Sequence, residues 1–198
     1  MPFGRPAYPA TWCRATEQQT GSLPISSCHQ KNVKDKNMKI AIAGTGYVGL
    51  SNALLLSQHN EVVAYDISTE KVEMLNRRQS PIVDPDVNRF LCRNDIDFRA
   101  SHEKSEAFEG ADYVVVATPT NYDPETSHFD TRSVDTVVRE VAEINPAAAI
   151  VIKSTIPLGF VQKTRNELET ENLMFCPEFL REGRALHDNL YPSRIVVR

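Results

Sequence analysis

A chain of 198 residues, 41% of them hydrophobic, is long enough for one ordinary domain with a packed core and some additional sequence. Its net charge of −4 is spread without a basic block, which excludes nucleic acid as a main partner, and no apolar run approaches the roughly 18 residues a membrane helix needs. The expected setting is cytoplasmic, and the four cysteines (Cys13, Cys28, Cys92, Cys176), lacking metal-type spacing, read as free thiols with no metal site expected. Residues 1–37 are rich in Pro, Ser, Gln and Thr with no helical or strand period, and predict a disordered or extraneous extension. A transit peptide is the alternative, since no acid precedes Glu17, and Met38 reads as a natural start directly before the first strand-like run.

From there the chain runs KIAIAGTGYVGLSNALLLSQHNEVVAYD over 39–66. A strand-type run (39–43) leads into Gly44-Thr45-Gly46-Tyr47-Val48-Gly49, a helix-type segment follows (47–58), and a second strand (61–66) closes on Asp66. This is the order of a dinucleotide-binding βαβ unit. Gly44 makes the tight turn, Gly46 lets a pyrophosphate approach the backbone, and Gly49 allows close packing of helix and sheet. The N–H groups and positive dipole end of the helix hold the phosphates. Asp66, 22 residues after Gly44, is placed to accept hydrogen bonds from both ribose hydroxyls and to repel a 2′-phosphate, so the cofactor expected is NAD rather than NADP. The strand before, the helix after and the acid at this distance make the motif far more specific than its glycines alone.

Alternation continues, with strands predicted at 96–99, 112–117, 148–153 and 172–175 and helices at 69–77, 103–108, 131–144 and 159–169. Residues 79–95 read as a loop with a short helix. The fold class is therefore α/β: a doubly wound, mostly parallel Rossmann sheet of order 3-2-1-4-5-6 with flanking helices, formed by residues 38–198 as one NAD-binding domain. Three runs (113–117, 148–152, 40–43) are almost wholly apolar, as suits central strands covered on both faces.

Ligands of such sheets bind outside the carboxyl ends of the strands. Here those ends carry Ala117-Thr118-Pro119-Thr120-Asn121, Lys153-Ser154-Thr155-Ile156-Pro157 and Cys176-Pro177-Glu178-Phe179-Leu180-Arg181-Glu182-Gly183. Singly each has a plain structural reading: Thr-Pro stops a strand, Ser-Thr-Ile-Pro caps the helix at 159–169, and Glu178 is a helix-start acid. Together they converge on the crevice of the glycine loop and point to a reaction site.

The segments GTGYVGLSNALLLS, SPIVD, ATPTNYDP, KSTIPLGF and PEFLREGRALHDNLYPSRIVV resemble the UDP-glucose 6-dehydrogenases of the UDP-glucose/GDP-mannose dehydrogenase family, most of all the bacterial members, over residues 38–197. KSTIP and PEFLREG carry more weight than the glycines, since together they separate this group from other Rossmann dehydrogenases. The resemblance implies NAD-dependent oxidation of the C6 alcohol of UDP-glucose to a carboxylate by two hydride transfers, without a metal. It implies that residues 44–49 hold the pyrophosphate, Asp66 and Lys71 the adenosine ribose, and Thr118, Pro119 and Thr120 the cofactor wall. It further places Ser154 and Thr155 at the nicotinamide, with Thr155 positioning a water; Phe179, Leu180, Arg181 and Glu182 on the nucleotide sugar; Glu182 also near the nicotinamide; and Glu178 as acid/base. A carboxylate at a dry strand end beside a cofactor could have its pKa raised toward neutrality and serve that role. Arg181 and Arg194 read otherwise as surface ion-pair residues.

The cysteine that the second oxidation requires sits, in the family, in a later domain, together with a lysine and an asparagine near the sugar. Cys176 takes a position commonly held by serine and reads as a packed thiol, and Cys92 has no activating partner in the sequence. The chain is thus expected to be the cofactor-binding portion, without the dimerising helix and UDP-binding domain, binding NAD but not completing the reaction and monomeric where the whole enzyme is a homodimer. The strand-like ending at 195–198 favours a fragment. Alternatives are a UDP-N-acetylmannosamine or GDP-mannose dehydrogenase domain, or an NAD-binding module without chemistry. A short-chain dehydrogenase is excluded by the lack of a Tyr-x-x-x-Lys pair.

Overall fold

The computed structural model describes residues 37–123 and 128–197. The predicted extension, Cys13 and Cys28 therefore lie outside the described residues, Asn37 excepted. In chain order the elements are β1 (Lys39–Ala43), α1 (Tyr47–Leu56), β2 (Glu61–Tyr65), α2 (Thr69–Asn76), α3 (Pro85–Leu91), β3 (Phe98–Ser101), α4 (Lys104–Phe108), β4 (Tyr113–Val116), β5 (Asn121–Asp123), β6 (His128–Asp130), α5 (Arg132–Ile144), β7 (Ala149–Ile152), α6 (Phe160–Leu168), β8 (Leu173–Phe175) and α7 (Ala185–Leu190). Six strands form one parallel sheet in the order β3-β2-β1-β4-β7-β8, which is the doubly wound arrangement the alternation predicts.

Short runs of Val, Ile and Ala make these strands because both faces of each must be apolar. Along β1, Ala41 and Ala43 face a layer holding Phe108 and the α5 stripe Val134, Val138 and Val141, while Ile40 and Ile42 face a layer holding Leu50 and Leu54 of α1. The α5 valines recur at helical spacing, so one stripe of that helix is buried and the opposite side carries its charges. Burying each such side chain contributes about 1.5–3 kcal/mol against the entropy of ordering the chain.

Four local features depart from expectation. The third strand is displaced to 98–101, because Asp97 closes onto the end of α1, its N–H bonding the Ser57 carbonyl at 2.9 Å, so that pairing with β2 begins only at Phe98. β5 and β6 form an antiparallel pair that no alternation announces; its stabilising contact is the cross-strand ring pair Tyr122–Phe129, with centroids 5.1 Å apart. Residues 179–184 are irregular, and helix begins only at α7, which lies on α1 with Asn189 Nδ2 donating to Ser51 Oγ at 2.8 Å. Residues 195–197 are not a strand: the sheet ends at β8, and Ile195 and Val197 are exposed with no strand beside them among the described residues. β propensity without a partner does not make a strand.

Candidate functional site

The turn between β1 and α1 is built around two glycines that no other residue replaces. Gly44 has φ +99°, and a Cβ there would stand 2.6 Å from the Ala117 carbonyl oxygen. A Cβ on Gly49 would stand 1.8 Å from the Gly44 carbonyl oxygen, so the close approach that Gly49 permits is to the turn itself, more than to the sheet as the sequence predicts. Gly46 differs: a Cβ there meets nothing within 4 Å. Its open face lies at the start of α1, which has no side-chain cap and no acid in its first turn, leaving the first N–H groups of the helix for an anion.

Asp66, 7% exposed, follows β2 and bonds back to the turn. Its Oδ2 accepts the Thr45 N–H at 3.0 Å and the Thr45 hydroxyl, and its Oδ1 accepts the Ser68 N–H at 2.9 Å. Lys71, on α2, places its Nζ 3.8 Å from Oδ2. Ile67, next in the chain, is 86% exposed on the same cleft, an apolar surface beside the charged pair.

The ends of β4 and β7 are tied together. The Ser154 hydroxyl donates to the Thr118 carbonyl at 2.6 Å, and the Ser133 hydroxyl bonds the Pro119 carbonyl at 2.7 Å. Ser154 and Thr155 are therefore not the cap of the following helix; α6 starts after Gly159, whose φ of +84° makes the turn into it.

Glu178, past β8, is not a helix-start acid either. It forms an ion pair with Lys153 through Oε1, the side chains being 14% and 13% exposed, and the same Oε1 accepts from Asn52 Nδ2 of α1 at 3.2 Å. The carboxylate thus sits against an ammonium, a partner that the sequence-based reading of a dry strand end does not include. Lys153 Nζ also lies 3.6 Å from the buried Cys176 thiol. Arg181 turns away to a two-pronged pair with Asp188 at 2.7 and 3.0 Å, which holds the Asp188 carboxyl well below the usual carboxylate range. Arg194 lies over the Phe179 ring, 4.8 Å from its centroid. Asp84, from the SPIVD segment, caps α3 and accepts the Leu186 N–H at 3.4 Å, anchoring the far end of this loop.

A cleft of about 1180 Å³ runs along the strand ends. It brings together Gly44, Thr45, Gly46, Val48, Asp66, Lys71, Thr118, Pro119, Thr120, Ser154, Thr155, Glu178, Phe179, Leu180 and Glu182. Of the residues singled out from sequence, Tyr47, Gly49 and Arg181 do not line it: Gly49 is covered by the Gly44 carbonyl, Arg181 is committed to Asp188, and Tyr47 contributes as the first residue of α1. A second cavity of about 440 Å³ shares the Lys153–Glu178 pair as its wall and extends to Asn52, His187 and Arg194. Sequence reasoning missed Asn52, Lys153 as the partner of Glu178, and Asp84. Asn52 and Glu178 stand 126 positions apart, and only the partly buried setting of the carboxylate foretells that a cation meets it.

A glycine turn open at Gly46, an uncapped helix start and a buried acid at the end of β2 fit a dinucleotide, and they define a nucleotide-binding domain of the dehydrogenase type. Residues 38–198 match the model of the NAD binding domain of the UDP-glucose/GDP-mannose dehydrogenase family, and the chain belongs to that family. It is 49% identical over 160 residues to a UDP-glucose 6-dehydrogenase of Streptococcus pneumoniae, covering 81% of this chain and 41% of that protein. It is 44% identical over 162 residues to one from Campylobacter jejuni, with the same coverage of 81% and 41%. Among solved structures, a UDP-glucose dehydrogenase from Pyrobaculum islandicum superposes with a TM-score of 0.73 at 28% identity, over 89% of this chain and 42% of that one. A GDP-mannose dehydrogenase ternary complex from Pseudomonas aeruginosa superposes at 0.71 and 25% identity, over 81% and 40%. The chain thus spans about two fifths of the length of the curated relatives it matches. Among the described residues no helix is long and apolar enough to cross a membrane.

Proposed function

We propose that residues 38–198 form the NAD-binding domain of a UDP-glucose 6-dehydrogenase, and that they do not by themselves complete the oxidation. The observation that carries this reading is one cleft bearing the glycine turn and Asp66 at one end and Glu178 at the other, between strand ends that Ser154 ties together. The relatives at 49% and 44% identity are both UDP-glucose enzymes, which favours the glucose nucleotide. The span of about two fifths of the relatives supports the second half of the reading. In the whole enzyme these residues would work as a homodimer.

Bound NAD supplies the hydride-accepting chemistry. The α1 start holds the pyrophosphate, Asp66 and Lys71 the ribose, and Thr118, Pro119, Thr120 and Ser154 the wall against which the cofactor lies. Residues 179–182 take the nucleotide sugar, mostly through their backbone, with Glu182 also toward the nicotinamide and the Arg181–Asp188 pair bracing the loop. Oxidising a primary alcohol to a carboxylate removes two hydrides, consumes one water and releases protons. Glu178 takes a proton at Oε2: Lys153 and Asn52 both bond Oε1, and among the described residues Oε2 has no protein donor. Thr155 directs the water toward that oxygen. Calorimetric titration of the chain with NAD and with NADP tests the reading: NAD binds and NADP binds far more weakly. Absence of NAD binding by the folded chain refutes the cofactor assignment, and sustained NADH production with UDP-glucose refutes the incompleteness.

A further inference from the structure

Thr45 occupies the variable position between the first two glycines, where the motif makes no demand on the side chain. Here it is 1% exposed and does not face solvent. Its N–H and its hydroxyl both bond Oδ2 of Asp66, while the neighbouring Gly44 N–H bonds the Tyr65 carbonyl at 2.8 Å. Three bonds therefore stitch the glycine turn to the end of β2.

We infer that Thr45 is a positioning residue for the ribose carboxylate: its hydroxyl locks Asp66 to the glycine turn before any cofactor arrives. A carboxylate oxygen accepts about two hydrogen bonds. On Oδ2 both positions are taken by Thr45, and on Oδ1 one is taken by Ser68. One acceptor position remains among the described residues, on Oδ1, so the locked carboxylate offers the ribose one well-aimed oxygen where an unheld side chain would offer two and rotate between them. The sequence-based expectation of two ribose bonds to Asp66 is narrowed to one. The lock has a second effect. Asp66 orders the turn that binds the pyrophosphate, so replacing Asp66 removes more than a ribose contact, and the loss it causes cannot be assigned to the ribose alone.

The inference rests on the NAD reading for its purpose, but its core is measurable without NAD. The first experiment is a double-mutant cycle by urea unfolding of the cofactor-free chain. Thr45→Val removes the hydroxyl and keeps the β-branched shape; it is expected to lower the folding equilibrium constant roughly tenfold, as loss of a hydrogen bond to a charged group does. In an Asp66→Ala background, where the Thr45 hydroxyl has lost its acceptor, the same change costs much less. Equal cost in both backgrounds overturns the lock. The second experiment is calorimetric titration with NAD: Thr45→Val weakens binding by about tenfold while Thr45→Ser stays within about twofold of the parent. Equal affinities for the Val and Ser variants overturn the positioning role. If the parent chain binds no NAD, the cofactor assignment falls, and the unfolding cycle still decides whether Thr45 locks Asp66.

Discussion

Two glycines three residues apart in the same turn make opposite predictions. At Gly49 a methyl group would lie 1.8 Å from the Gly44 carbonyl oxygen, 1.6 Å short of the 3.4 Å at which ordinary contact begins. The obstructing atom is backbone in a turn held by the Gly44–Tyr65 hydrogen bond, so it cannot swing aside as a side chain end would. Overpacking of this kind costs about 1–3 kcal/mol or more, and the gain in helix propensity from Gly to Ala returns about 1 kcal/mol. A 1.8 Å backbone contact puts the cost at or above the top of that range, so Gly49→Ala is expected to lose about 2 kcal/mol or more of stability after that return. At Gly46 the methyl meets nothing within 4 Å and φ is −76°, an ordinary value. The weaker capping by alanine and the reduced entropy of the unfolded chain nearly cancel, leaving a change within about 1 kcal/mol. At the proposed NAD site the same methyl would project into the space the pyrophosphate takes, so NAD affinity is expected to fall at least about tenfold. Urea denaturation followed by circular dichroism reads the first effect, and calorimetry reads the second. A Gly49→Ala chain as stable as the parent, or a Gly46→Ala chain that binds NAD undiminished, refutes the reading of the turn.

Other outcomes follow from the ion pairs. Lys153→Met leaves the partly buried Glu178 carboxylate without its cation and costs about 1–3 kcal/mol; adding Glu178→Gln restores most of it, because an unpaired charge in this setting is worse than a neutral pair. Chemical denaturation of the single and double variants measures this, and additive losses would show that the pair is not the cause. Two carboxylates paired with arginines contribute to acid sensitivity. Hydrogen bonding from Arg132 holds Asp130 down at about 2, and hydrogen bonding from Arg181 likewise lowers Asp188, against an ordinary 3.8. A depressed folded-state value stabilises above the unfolded value and is lost as pH falls through the folded one. The contribution of Asp130 is thus complete above about pH 4 and disappears toward pH 2, with that of Asp188 persisting lower. Carboxyl NMR titration checks both midpoints, and an Asp130 midpoint near 3.8 would show that its pair with Arg132 is not formed in solution.

What local chemistry determines was legible in the sequence. Apolar runs too short for helices and bounded by turn residues mark β1, β4 and β7, and the spacing of Gly44, Gly46, Gly49 and Asp66 places them on one unit. Features created by pairing across the fold were not legible. The start of β3 depends on where Asp97 docks on the end of α1. Ile195 and its neighbours have the composition of a strand, but the sheet ends before reaching them. The β5–β6 pair is held by Tyr122 and Phe129 across a connection rich in polar residues, and no period of two runs through it.

The same distinction explains the two ends of the cleft. At the cofactor end the residues that matter are close in sequence: Gly44, Gly46 and Asp66 fall within a single βαβ unit, so motif spacing places them, while the Thr45 hydroxyl bond to Asp66, across 21 positions, lies outside what the motif specifies. At the Glu178 end every support comes from elsewhere. Lys153 approaches from β7, Asn52 from α1, and Asp84, ahead of α3, anchors the loop through Leu186 across 102 positions. A motif such as PEFLREG can therefore identify the acid but not its state, because the ammonium that faces it belongs to another motif. The side chain of Glu178 is poised by the packing of α1 and β7 against the loop, and a change in either element reaches the carboxylate without touching the loop that carries it.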